Sequence, residues 1–136
     1  MLTPDQIERC NALWRRLYAR GAVRWMGGML AAAPMYGSGF RVERVELRDD
    51  GPELVAGQHR IYGVQRMCPY WTDFATLGCL LAMAREATGI AHLHANDTTG
   101  VLKKPWHVWH VPNTEADSEP EALLLAIEEA INATGR

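Results

Sequence analysis

The chain has 136 residues, of which 48% are hydrophobic and 22% charged, with a formal net charge of −2. That length suits one domain, residues 1–136, with a hydrophobic core, and the composition excludes a disordered chain. The slight negative balance excludes a global basic field for nucleic acid, and no apolar run approaches the ~20 residues that span a bilayer.

Helix one is expected to start at Thr3. Thr3-Pro4-Asp5-Gln6 offers an N-cap, a proline at the first helical position and a glutamine that completes a capping box. Ile7, Cys10, Leu13, Trp14, Leu17 and Tyr18 recur at helical spacing, with Arg9, Arg15, Arg16 and Arg20 on the remaining faces. Gly21 is the expected stop.

A strand is expected over residues 29–33, then a turn at Tyr36-Gly37-Ser38-Gly39. Residues 40–47 alternate well enough to predict a second strand, closed by Asp49-Asp50-Gly51-Pro52. Residues 53–72 carry weaker signals. Strand character is present over 60–64, and Met67-Cys68-Pro69-Tyr70-Trp71 reads as an aromatic-rich loop.

Asp73 is the expected N-cap of helix two, whose only charges are Arg85 and Glu86 before a stop at Gly89. A helix this apolar is expected to be the central core helix. The last helix is expected from Ser118, with Ser118-Glu119-Pro120-Glu121 as a second capping box. Leu123, Leu124, Ile127, Ala130 and Ile131 form its apolar face. The implied architecture is α+β: one antiparallel sheet of about four strands packed against helices, in the order α-β-β-(β)-α-β-β-α.

Four of the five histidines fall within residues 92–110. Strands over 91–95 and 106–110, with Leu93 opposite Val108 to feed the core, would place His94 opposite His107 and His92 opposite Trp109. Three readings remain open for that face. Histidine and tryptophan together suit a protein contact surface. His92, His94 and His107 are also the residue types of an open zinc site, although neither strand holds a carboxylate to orient them. In the third reading, another segment of the chain covers the face.

The loop residues Tyr62, Arg66, Tyr70 and Trp71 are of the types enriched in binding hot spots. Together with His92, His94, His107 and Trp109 they make up the expected partner-binding set, with Trp71 and Trp109 as its anchors. The arginine face of helix one supports a nucleic-acid alternative.

No P-loop, GxGxxG, HExxH, GxSxG or EF-hand pattern occurs, so the main reading is non-enzymatic and calls for no cofactor and no metal. Of three cysteines without CxxC spacing, Cys10 and Cys79 on apolar helix faces read as small buried residues of a reducing compartment, and Cys68 beside Pro69 is left open. Asp5 and Glu8 stand where a signal peptide would carry bases, which points to the cytoplasm. Charge is uneven. Residues 1–66 carry ten arginines against seven acids, a net of +3, and residues 67–136 carry four bases against nine acids, a net of −5. This reads either as a solvated surface or as a polar molecule with a basic and an acidic docking side.

The run from Phe74 to Ala87, the segment from Thr114 to Ala130, the Gln6-Ile-Glu-Arg-Cys-Asn-Ala-Leu13 first helix and the Trp25 to Leu30 segment resemble small accessory proteins of tailed phages and prophages. The likeness covers most of the chain and is weakest over 50–72. It implies a protein acting in the cytoplasm of a bacterial host by binding a host or phage protein, with inhibition of a defence system as one such role. It implies no catalytic residues.

Overall fold

Thr3 begins the first helix as its capping box requires. Its hydroxyl accepts from the Gln6 N–H, and the Gln6 side chain accepts from the Thr3 N–H. In the computed structural model, which describes residues 2–32 and 39–134, this helix, α1, spans Pro4–Ala19. It ends at Arg20, with Gly21 in the left-handed conformation that spares a side chain. Of the expected turn at residues 36–39, residues 36–38 lie outside the described residues.

Seven short strands follow among the described residues, in three antiparallel sheets. The α+β class therefore holds, but the single four-stranded sheet does not form. β1 (Leu30–Ala31) pairs with β2 (Phe40–Arg41). β3 (Arg44–Arg48), β4 (Gly51–Ala56) and β5 (His59–Ile61) make a three-stranded meander. The strand expected over 40–47 is thus two strands, because its backbone changes partner at its middle. Val42 exchanges hydrogen bonds with Gly28 and Met29, at 2.7 and 2.8 Å, whereas the next N–H, of Glu43, donates to Val55 on β4. β4 itself, starting at Gly51-Pro52, was masked in the sequence by two residues that ordinarily mark a turn.

A 3-10 turn, Val64–Arg66, leads into the second helix, α2 (Phe74–Thr88). Asp73 caps it through the Thr76 N–H at 3.0 Å, and Gly89 stops it in the left-handed region. Then come β6 (Ala95–Asp97), β7 (Trp106–Val108) and the third helix, α3 (Glu119–Ala133).

The central helix is α3, not α2. It packs against α1, α2, β6 and β7. Residues 120–124, 126 and 127 are all buried, so its apolar surface wraps far more than one face. Ala122 and Ala126 interleave with the leucines, and small residues let neighbouring helices approach closely. The expected capping box at Ser118 does not form. Ser118 is buried with its hydroxyl 3.8 Å from Cys10 Sγ, and Glu121 reaches Arg9 of α1 instead of the cap. Contacts between helices have taken both side chains.

An aromatic stack holds α1 to the loops. The Trp14 ring meets those of Trp25 and Trp71 edge-on, at 5.4 and 5.9 Å, and stacks on Tyr18 at 6.1 Å.

Asp73 also ties α2 to β2. Arg41 grips its carboxylate with two hydrogen bonds, of 2.6 and 2.8 Å. Chiefly through that guanidinium, the Asp73 carboxyl is held below its usual range; partial burial opposes the shift and the Thr76 N–H reinforces it. A carboxyl depressed in the fold stabilises it fully above its unfolded pKa, ~3.9, and that contribution fades as pH falls through the lower, folded value. Asn is as good an N-cap as Asp. The Asp73→Asn variant is therefore expected to melt ~1 kcal/mol less stably than wild type at neutral pH. The two should converge on acidification below about pH 4, as thermal melts between neutral pH and pH 2 would record.

Candidate functional site

The uneven charge is consumed within the fold. Arg9 pairs with Asp117 and Glu121, Arg16 with Glu128, Arg24 with Glu86 and Arg41 with Asp73, each joining a base of the first half to an acid of the second. Arg20 donates to Asn132 and Arg15 lies 3.7 Å from Glu8. All four arginines proposed for phosphate contact thus have partners within the chain. Three of them form a ladder from α1 to α3.

A second network lies on the outer face of β3–β5. Glu46 is met by Arg44, Arg48 and Arg60, and the buried Glu53 by Arg60 and Arg48. Arg60, then Arg44, hold the Glu46 carboxyl below its usual range.

The histidine hairpin has a different register from the expected one. Ala95 is opposite Val108, Asn96 opposite His107, and Asp97 opposite Trp106. The shift is by two residues, so the faces survive: Leu93 and Val108 are buried and His94 is exposed. The pairings of His94 with His107 and of His92 with Trp109 do not. The loop sets this register. Thr98 is buried, its N–H donates to the Pro105 carbonyl at 2.6 Å and its hydroxyl to that of Lys104 at 2.9 Å. Upstream, the Leu93 carbonyl accepts from Arg85 and leaves residues 91–94 outside any strand. His92 sits in the turn after α2, and the His94 ring faces the His92 carbonyl at 3.1 Å. Among the described residues, no group of three His, Cys, Asp or Glu side chains is placed to hold a metal.

His107 and Trp109 do come together. Their rings meet edge-on at 5.0 Å, with Trp109 49% exposed and His107 Nδ1 buried without a partner. The other edge of β7 is covered, since Trp106 exchanges two backbone hydrogen bonds with Ala116.

The loop residues divide. Tyr62, Arg66 and Tyr70 are exposed. Trp71 is not: it is 3% exposed, and its indole N–H donates to Asn11 at 2.7 Å. The expectation that Trp71 anchors a partner is corrected to a place in the core. The loop is sewn to β1 just ahead of it, through Ala32 N–H to the Cys68 carbonyl and Tyr70 N–H to the Leu30 carbonyl. That anchoring turns the indole inward against Trp14. Cys10 and Cys68 also point inward, and Cys79 is half-buried. Burial pushes Cys10 up to about 12 and raises Cys68 and Cys79, which leaves little thiolate at neutral pH.

The surface that sequence reasoning missed lies on α2. Phe74 is 90% exposed, and Ala75, Gly78 and Ala82 are exposed along the same stripe, which first meets a charge at Glu86. Half-buried Leu77 and Leu81 lie along the same helix, and the partly exposed Tyr70 stands just ahead of it. The signal was present, since two charges in fifteen residues fit a helix covered on every side. Among the described residues, the chain covers only one side of it. Covering a phenylalanine is worth ~1.5–3 kcal/mol, enough to make Phe74 the dominant apolar contact available on this face.

No family model, curated protein or solved structure matches the chain. No helix among the described residues is long and apolar enough to cross a membrane.

Proposed function

We propose that this chain is a non-enzymatic accessory protein of the phage or prophage kind that its sequence resembles, and that it acts by binding a protein partner. The observation that carries this reading is the uncharged outer stripe of α2, headed by Phe74. A water-facing helix surface normally carries polar residues, and an apolar one that folding leaves uncovered is the mark of an interaction site. Gly78 and Ala82 lie flush with the helix, so the apolar ridge of a partner helix can seat between Phe74 and Leu81. Inhibition of a host defence protein is one role such a surface serves. Tyr70 and Trp109, the latter backed by the half-buried His107, are further exposed aromatic contacts.

The test is parallel affinity capture from host-cell lysate with wild type and Phe74→Ser. The variant loses no packed contact, so its stability should stay within ~0.5 kcal/mol of wild type. A partner should be enriched by wild type and recovered about tenfold less by the variant, as for a hot-spot residue. Equal recovery by both proteins, or no enrichment by wild type, would overturn the proposal.

A further inference from the structure

A second surface, remote in sequence from α2, has unmet backbone hydrogen-bonding capacity. The two-residue turn Asp49-Asp50 joins β3 to β4, so its closing pair, Arg48 and Gly51, is a hydrogen-bonded one. Alternation makes Glu46–Glu53 and Arg44–Val55 hydrogen-bonded pairs too, and leaves Val45–Leu54 and Leu47–Pro52 as the non-bonded ones. Pro52, with no N–H to give, sits where β3 asks for none. The N–H and C=O groups of Val45 and Leu47 therefore point away from β4, along the edge of a sheet whose order is β3-β4-β5. Among the described residues, no backbone group beyond the sheet bonds to them.

Across from this edge runs the segment Val23-Arg24-Trp25. The Arg24 N–H turns to Met83 Sδ at 3.4 Å, while Val23 and Trp25 make no backbone hydrogen bond with another described residue. Between the two walls lies a groove of about 550 Å³, lined mainly by Tyr18, Val23, Trp25, Val45, Leu47 and Pro52. That volume is in the range of ligand clefts. The Trp25 indole N–H, in the same wall residue, is buried without a partner, and Leu47 is 84% exposed. The slot narrows at one end. Gly28 and Met29 bond to Val42, and Gly27 passes so near the Glu43 carbonyl that a Cβ there would stand 2.6 Å from it. A short extended segment fits such a slot, whereas the β3–β4 hairpin of a second copy would run into its closed end.

We propose that this groove accepts an extended peptide segment of a partner protein, added as a strand to the edge of β3. Unpaired N–H and C=O groups on both walls call for peptide groups, which a small apolar molecule does not supply. The incoming residues that pair with Val45 and Leu47 turn their side chains onto the groove face, so they are aliphatic. The residue between them faces outward and is uncharged or polar. The nearby arginines Arg44 and Arg48 are already paired with Glu46, so the segment needs no charge. This proposal uses none of the α2 residues, and the two surfaces can fail separately.

The probe is the blocked peptide acetyl-Ser-Leu-Thr-Leu-Ser-amide, titrated into the full chain while amide exchange is followed by NMR. In the free protein the amides of Val45 and Leu47 are expected to exchange fast and that of Glu46 slowly. With peptide, the first two should slow by about tenfold or more. A peptide N-methylated at both leucines, or with both leucines replaced by Asp, should bind at least about tenfold more weakly. Leu47→Pro removes a donor that β4 does not use and should weaken binding similarly. Leu47→Thr keeps the donor and should retain the slowing. Unchanged Val45 and Leu47 amides at millimolar peptide would overturn the proposal. So would equal binding of the N-methylated peptide, or protection of these amides in free protein that disappears on dilution, which would put a second copy there.

Discussion

Trp14→Ala is expected to remove about 3–5 kcal/mol of stability, the cost of truncating a fully buried tryptophan. Trp14 is 1% exposed and its ring touches those of Tyr18, Trp25 and Trp71, so one truncation loosens α1, the segment after it and the loop before α2 together. A domain of this size typically has about 5–15 kcal/mol in total, so the variant should melt far below wild type or fail to fold. Chemical denaturation would measure the loss. A cost below ~1 kcal/mol would mean that the aromatic stack is not the joint described here.

Trp71→Ala is expected to cost a similar ~3–5 kcal/mol, and for an added reason. Its indole N–H holds Asn11, so truncation removes a packed ring and strands a half-buried amide. Trp71→Phe isolates the second term and should cost ~1–2 kcal/mol. Trp109→Ala is the contrast. With half its surface exposed and its ring meeting that of His107 edge-on, its loss should shift stability by less than ~1 kcal/mol. Parallel denaturation curves of the three variants would show whether the tryptophans divide in this way.

These two tryptophans mark the limit of what the chain discloses. Helix positions were legible because their signals are local. Thr3 with Gln6, Asp73 and Gly89 each act within a few residues, and each does what its chemistry implies. The exception, Ser118, fails for a non-local reason: Cys10, more than a hundred residues away, lies against its hydroxyl, and Arg9 takes Glu121. Trp71 is the same case, since only the pairing of its loop with β1 turns it inward. Strand register was half legible. Alternation fixed which face of the hairpin is buried, but Thr98 and its loop fixed the two-residue offset that separates His94 from His107. The charge asymmetry left a solvated surface and two docking sides both open, because composition cannot show that one half pairs with the other. The outer face of α2 escaped for the opposite reason. Its apolar sequence was visible and was assigned to the core, while α3, apolar over more of its circumference, took the central place.

Hydrogen–deuterium exchange on the complex with a captured partner is the most direct test of the α2 surface. The account predicts slowed exchange over Phe74–Thr88 and at Tyr70, with α1 unchanged, since its arginines stay bound to α3. Protection confined to α1, with α2 exchanging as in the free protein, would contradict it.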